Sequence, residues 1–217
     1  RIFAGSMRSV LKFLIWFAVI LGIICGVMVL GVVEVWTIPT DDPQLNVSIE
    51  PNLSAGDVVL VGRHSRPDPG ELVRCLDPDA PGRFVVARVV AVSGDEVSFI
   101  QDLMRVNNKR EPTGSPCEPQ RVMMTAPANQ AEVEIGCNYE EFAGRTQGIM
   151  RGVTDHDGDF NGKVETGRIF LASDNRRLHL DSRDFGQLNP DTCLQIVYRL
   201  WSQAGIMDGK RRFTFLW

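Results

Sequence analysis

The sequence has no stretch in which lysine and arginine alternate with aromatic residues, and its formal net charge is -4 over 217 residues. A polyanion partner needs a basic footprint, so nucleic-acid binding is not expected. It also lacks internal repeats and low-complexity tracts. Beyond the N-terminal segment no long apolar pattern of 3.6-residue period occurs. That absence points to a mainly β domain, built as an irregular sheet or barrel.

One long run is present. Phe13 to Val33 holds 21 residues without a charge. A bilayer core takes about 20 apolar residues in a helix, so this run can span it. A secretory signal has an apolar region of only about 7–15 residues followed by a small-residue cleavage site. Here Glu34, Val35 and Trp36 follow, which argues for a retained anchor. Arg8 and Lys12 precede the run, and Glu34, Asp41 and Asp42 follow it. The positive-inside rule then places residues 1–12 in the cytoplasm, 13–33 in the lipid bilayer and 34–217 outside. Trp16 and Trp36 sit near the two ends of the span. Gly22 and Gly26 form a GxxxG that reads either as a helix-packing face toward other membrane proteins or as small residues facing lipid.

Five cysteines occur. Cys25 lies in the span. Cys75, Cys117, Cys137 and Cys193 fall outside it, in a compartment where disulfides persist. Four cysteines allow three pairings. Cys117 and Cys137 share one segment and are the first candidate pair; four buried free thiols are the alternative.

Strands are expected at VVLVGR, LVRCL and RFVVARVVAV, the last ended by Ser93-Gly94-Asp95. EVSFI and LMRVNNKREP read as a hairpin with a turn at Asn107-Asn108. The stretches TIPTDDPQLN and SIEPNLSAGD contain prolines and a glycine, which argue for loop rather than helix. Residues from about 112 to 150 change character: Pro112, Pro116, Pro119 and Pro127 punctuate them. They read as an inserted subdomain on the β core. Strand signals return at GIMRGV and RIFLAS, then at LQIVYRLWS and RRFTFLW.

Three blocks carry a resemblance. Ser48-Ile49-Glu50-Pro51-Asn52-Leu53 follows the span by about 15 residues and precedes Gly56-Asp57 and a strand. Arg88-Val89 is followed by Gly94-Asp95. Ser173-Asp174-Asn175-Arg176 runs on through Asp181-Ser182-Arg183-Asp184-Phe185-Gly186. In order, these resemble the bacterial type I signal peptidase patterns Ser-Met-x-Pro-Thr-Leu, Lys-Arg-Val-x-Gly-x-Pro-Gly-Asp and Gly-Asp-Asn-Arg…Asp-Ser-Arg-x-x-Gly. Tyr139-Glu140-Glu141 is similar to a feature of that family within the insertion. The likeness runs from Phe13 to about Tyr198.

The resemblance implies a single transmembrane helix followed by a signal-peptidase-like β domain. It implies a membrane serine endopeptidase of the bacterial cytoplasmic membrane that cleaves signal peptides of exported proteins, with no cofactor and no metal. Ser48 would be the nucleophile. Its own N–H and the Asn46 amide would be oxyanion donors, although Asn46 also reads as an ordinary turn residue. Arg88, Asp174, Asn175, Arg176, Asp181, Ser182 and Arg183 would hold the site loop. The substrate would be an extended peptide segment added to a sheet edge by backbone pairing.

The family's general base is a buried lysine, and that position is Ala87. A serine hydroxyl is a poor nucleophile without an adjacent base. Arg88 does not deprotonate, and the histidine of the eukaryotic secretory enzyme is absent here too. Three explanations stand: an inactive paralogue, an active enzyme with a relocated base, or a deliberate lysine-to-alanine change. Further departures at Ile49, Asn52, Ala91, Ser93, Ser173 and His179 favour natural divergence. His179 falls where the family often has a serine bonded to the lysine. It reads either as a substitute base or as a space filler. An inactive member would bind peptides or serve a membrane complex.

Asp157-Gly158-Asp159-Phe160-Asn161-Gly162 is similar to the start of an EF-hand loop. Its twelfth position is Arg168 where a bidentate carboxylate is needed, so an Asp/Gly-rich surface turn is the better reading. Asn46-Val47-Ser48 and Asn52-Leu53-Ser54 are formal glycosylation sequons, discounted because the resemblance is bacterial.

Overall fold

A computed structural model describes residues 2–27, 31–64, 66–156 and 158–216. Helix α1 spans Ile2–Val27. Its Ser9–Val27 segment, of mean hydropathy 2.6, is long and apolar enough to cross a membrane by length and composition. Residues 28–30 of the expected span lie outside the described residues. Val33, placed at the end of that span, already opens strand β1 (Val33–Thr37) and pairs with Gly62.

The rest is mainly β. Strands β2 (Val58–Gly62), β3 (Leu72–Leu76) and β4 (Phe84–Val92) fall where β-branched runs predicted them. With β1, β12 (Ile169–Ala172), β13 (Cys193–Trp201) and β14 (Thr214–Phe215) they build a seven-stranded sheet. Its order is β1-β2-β13-β3-β4-β12, and β14 pairs with β13. β4 is buried on both faces, as its almost unbroken valine and alanine run requires. A four-stranded sheet holds β5 (Glu96–Ile100), β6 (Leu103–Val106), β7 (Lys109–Arg110) and β11 (Phe160–Lys163). Asn107 and Asn108, both at positive φ, turn β6 into β7. Phe99, Phe160 and Phe170 stack between this sheet and the main one, with ring centroids 5.2–6.5 Å apart.

The proline-rich segment forms a third sheet from β8 (Thr113–Thr125), β9 (Glu132–Phe142) and β10 (Arg145–Gly152), in the order β10-β9-β8. Pro116 and Pro119 survive in β8 because it is an edge strand, where a missing N–H costs no ladder bond. The pairing with β9 shifts register on either side of Pro116.

One loop expectation is corrected. Pro43–Ser48 is a short helix, α2. Asp42 caps it by accepting from Leu45 N at 3.0 Å, and Pro43 at the first turn has no N–H to leave unsatisfied. The prolines there signal a helix start. Asp157, the first residue of the EF-hand-like motif, lies outside the described residues.

Two disulfides are formed. Cys117 joins Cys137 within the third sheet. Cys75 joins Cys193, facing one another on β3 and β13 across a separation of 118 residues. A cross-link over so long a loop stabilises mainly by restricting the unfolded chain. The Cys75→Ala/Cys193→Ala pair should lower unfolding free energy by about 3–5 kcal/mol. Urea unfolding of both proteins under non-reducing conditions measures it, and an unchanged midpoint would contradict it.

Candidate functional site

Ser48 ends α2 and is fully buried. Its Oγ donates to the Leu45 carbonyl at 2.9 Å, the i−3 bond open to a serine in a last helical turn. Three hydrogen bonds tie α2 to the segment 173–186. Asn175 N donates to Ser48 O (3.1 Å), Asn175 Nδ2 to Val47 O (3.0 Å) and Gln44 Nε2 to His179 O (2.6 Å). The side-chain carbonyl of Asn175 accepts from Arg177 N and Leu178 N, which fixes its amide toward α2.

Beneath Ser48 lies a buried ion pair. Arg88 Nε and Nη2 meet Asp174 Oδ1 and Oδ2 at 3.1 and 3.0 Å, each side chain 1 % exposed. Arg88 Nη1 donates to Gly70 O at 2.7 Å. Asn52 Nδ2 donates to Asp174 Oδ2 (2.6 Å) and Gly148 O (2.7 Å), and Gly148 N donates back to Asn52 Oδ1. Gly148 permits this approach, since a Cβ there would lie 2.8 Å from Pro51 Cγ. Asn52 thereby bridges the Ser48 turn, β10 and Asp174.

The other charged residues of the block choose different partners. Arg176, fully buried, pairs with Glu140 of β9 at 2.8 Å. Arg183 chelates Asp181 through Nε (3.0 Å) and Nη2 (2.8 Å), donates to Arg176 O and stacks over Phe99. Asp181 caps helix α3 (Ser182–Phe185) in a capping box with Asp184, and also accepts from Ser173 N. Ser182 Oγ accepts from Leu171 N. Burial opposes ionisation of Asp181, but the Arg183 charge and hydrogen bonds, His179 and the Ser173 N–H outweigh it, giving a pKa of about 2.

Ala87 is 1 % exposed and belongs to an apolar cluster with Leu45, Ile49 and Leu180. The structure thus brings the expected base position into the same core as the residues flanking Ser48 and His179. No ionisable group is supplied at position 87. His179 Nδ1 lies 2.7 Å from Asp184 Oδ2 and 3.9 Å from Asp181 Oδ1. Among the described residues no hydrogen bond joins it to Ser48. Asn46 directs its amide to the Thr40 carbonyl at 3.3 Å, a turn contact. Its Oδ1 is buried without a partner among the described residues.

The site has one feature that strand prediction alone does not reveal. β3 pairs with β4 over Phe84–Arg88, whereas β12 pairs only over Arg88–Val92. Among the described residues Phe84 to Ala87 therefore have a strand neighbour on one side only, and α2 packs nearby. A half-buried carboxyl also stands two residues after Ser48. Burial raises the pKa of Glu50, partly offset by the hydrogen bond it accepts from Ser54 Oγ at 2.6 Å.

A family model described as signal peptidase, peptidase S26, matches residues 10–201. No curated protein matches.

Two outcomes follow from the ion pairs. Arg88→Met leaves the Asp174 carboxylate buried without its cation and should destabilise the fold by about 3–5 kcal/mol in urea unfolding. Asp181 has a depressed pKa, so its contribution is full above about pH 4, the ordinary aspartate range, and is lost as pH falls toward 2. Asp181→Asn should flatten the decline of unfolding free energy over that window; an identical slope in both proteins would refute the assignment.

Proposed function

We infer the function from one premise: the chain belongs to the signal peptidase family. We propose that it is a membrane-anchored member that binds signal peptides or other extended segments of exported proteins without cutting them. The apolar segment 13–33 would hold it in the cytoplasmic membrane, N-terminus inside, with residues 34–217 on the outer side. The disulfides Cys75–Cys193 and Cys117–Cys137 suit that oxidising side.

The observation that carries this reading is the buried apolar environment of Ala87. Acyl transfer from serine needs a group that removes the hydroxyl proton. The partner of Ser48 Oγ is instead the Leu45 carbonyl, which accepts a hydrogen bond but takes no proton. Peptide binding asks for less. An extended segment can pair with the uncovered backbone at Phe84–Ala87 if α2 shifts. Ser48, Arg88, Asp174, Asn175, Arg176, Asp181, Ser182 and Arg183 then act as scaffold, and their retention is compatible with a silent site.

A second reading is an endopeptidase with His179 as base. It is favoured by the His179–Asp184 contact at 2.7 Å, the orienting half of a Ser-His-acid arrangement. It requires the imidazole to reach Ser48 Oγ once substrate is bound.

Incubating the full chain in detergent with a signal-bearing precursor separates the two. The expected result is no processing above that of Ser48→Ala, with a signal peptide still bound by the unaltered chain. Ala87→Lys should then gain cleavage that Ser48→Ala abolishes. Processing by the unaltered chain would overturn the proposal, and its loss in His179→Ala would identify the base.

A further inference from the structure

We propose that the third sheet carries a binding site for a phosphate group, formed by Arg121 and Arg151 on either side of Gly136. The register places these three residues in one row: Arg121 of β8 opposes Gly136 of β9, which opposes Arg151 of β10. Directly opposed residues on neighbouring strands project to the same face. With glycine at the centre, β9 itself puts no side chain between the two arginines of the row, and Val153 borders the gap, its Cγ2 3.5 Å from where a Cβ of residue 136 would lie. Arg121, Gly136 and Arg151 line a cavity of about 240 Å³ together with Asn138 and His156.

Arg151 is the unusual member. It is half-buried, yet among the described residues it makes no hydrogen bond or ion pair through its side chain. Burial holds its guanidinium below the ordinary range. Glu140 works against that shift, Arg110 and Arg176 add to it, and Asp102 opposes it. Glu140 and Asp102 act on it only through space, without a direct hydrogen bond or ion pair among the described residues, so an anion arriving in contact with the half-desolvated guanidinium is favourable. Arg121 is exposed and held by Glu134 at 3.2 Å, so it can swing without unfolding anything.

The chemistry selects a tetrahedral oxyanion. A guanidinium fork matches two phosphate oxygens, and two forks from opposite sides need a ligand that offers oxygens in both directions. A planar carboxylate satisfies one fork only. Asn138, two residues along β9 from Gly136, supplies a neutral amide to the same cavity, whose small size admits a head group rather than a whole nucleotide. The phosphate can come from an anionic phospholipid or from free phosphate. This inference does not depend on whether Ser48 is catalytic.

The test uses the full chain in a neutral detergent at constant ionic strength, with inorganic phosphate as probe against chloride. Phosphate should raise the melting temperature and broaden the 31P resonance. Arg151→Gln should lose both responses while keeping the chloride melting temperature. Arg121→Gln should weaken phosphate binding roughly tenfold, the loss of one charged hydrogen bond. No response in the unaltered chain, or an equal response in Arg151→Gln, overturns the site. Should Arg151→Gln fail to fold, an unchanged affinity in Arg121→Gln overturns it instead. Repeating the titration in phosphatidylglycerol and phosphatidylcholine nanodiscs assigns the source. A response suppressed by phosphatidylglycerol supports a lipid head group, and equal responses in both support free phosphate.

Discussion

The buried pair of Arg88 and Asp174 is the contact on which the arrangement around Ser48 depends. Two charges taken out of water gain little net stability, and removing one of them is costly because the other is left unpaired. What the pair supplies is position. Asp174 receives Arg88 from β4 and Asn52 from the Ser48 turn, and its own carbonyl accepts from Met150 N of β10. Three segments distant in sequence are fixed against one residue, two through its carboxylate and one through its backbone carbonyl. Asn175 then passes that order to α2, and Arg183 with Asp181 closes the loop behind it.

The strand β4 shows how such a frame and a chemical function can separate. Successive residues of a strand face opposite sides. Arg88 turns to the ion pair, while Ala87 turns into the apolar cluster beside Leu45 and Ile49. A change at position 87 can therefore remove a base without disturbing its neighbour. In this chain position 87 is part of the core, and the hydroxyl of Ser48 donates within its own helix.

Much of this was legible in the sequence, and the exceptions have physical causes. The valine-rich runs of β2 and β4 announced buried strands, and the 173–186 block announced a polar scaffold. Its pairings were less legible. Asp174 and Arg176 find partners in Arg88 and Glu140, because each strand order decides which charge lies opposite. The hint for Glu140 was chemical: a buried arginine needs an acid. Proline misled at one place: Pro43 starts a helix where it suggested a loop. The short reach of β12 along β4 left no mark in composition, since it depends on where a partner strand ends.

That short reach has a cost beyond ligand binding. Strand backbone that is paired on one side only attracts any extended chain once exposed, including a second copy of the same protein. Phe84 to Ala87 is a segment of high β-propensity and no charge, the kind that seeds aggregation when exposed. The helix α2 beside it is six residues long, capped by Asp42, with Asp42 also 3.5 Å from Arg83 at the start of that segment. On this view a small capped helix guards the solubility of the whole domain. Weakening the cap would release not only the surroundings of Ser48 but also a sticky strand next to the edge of the main sheet.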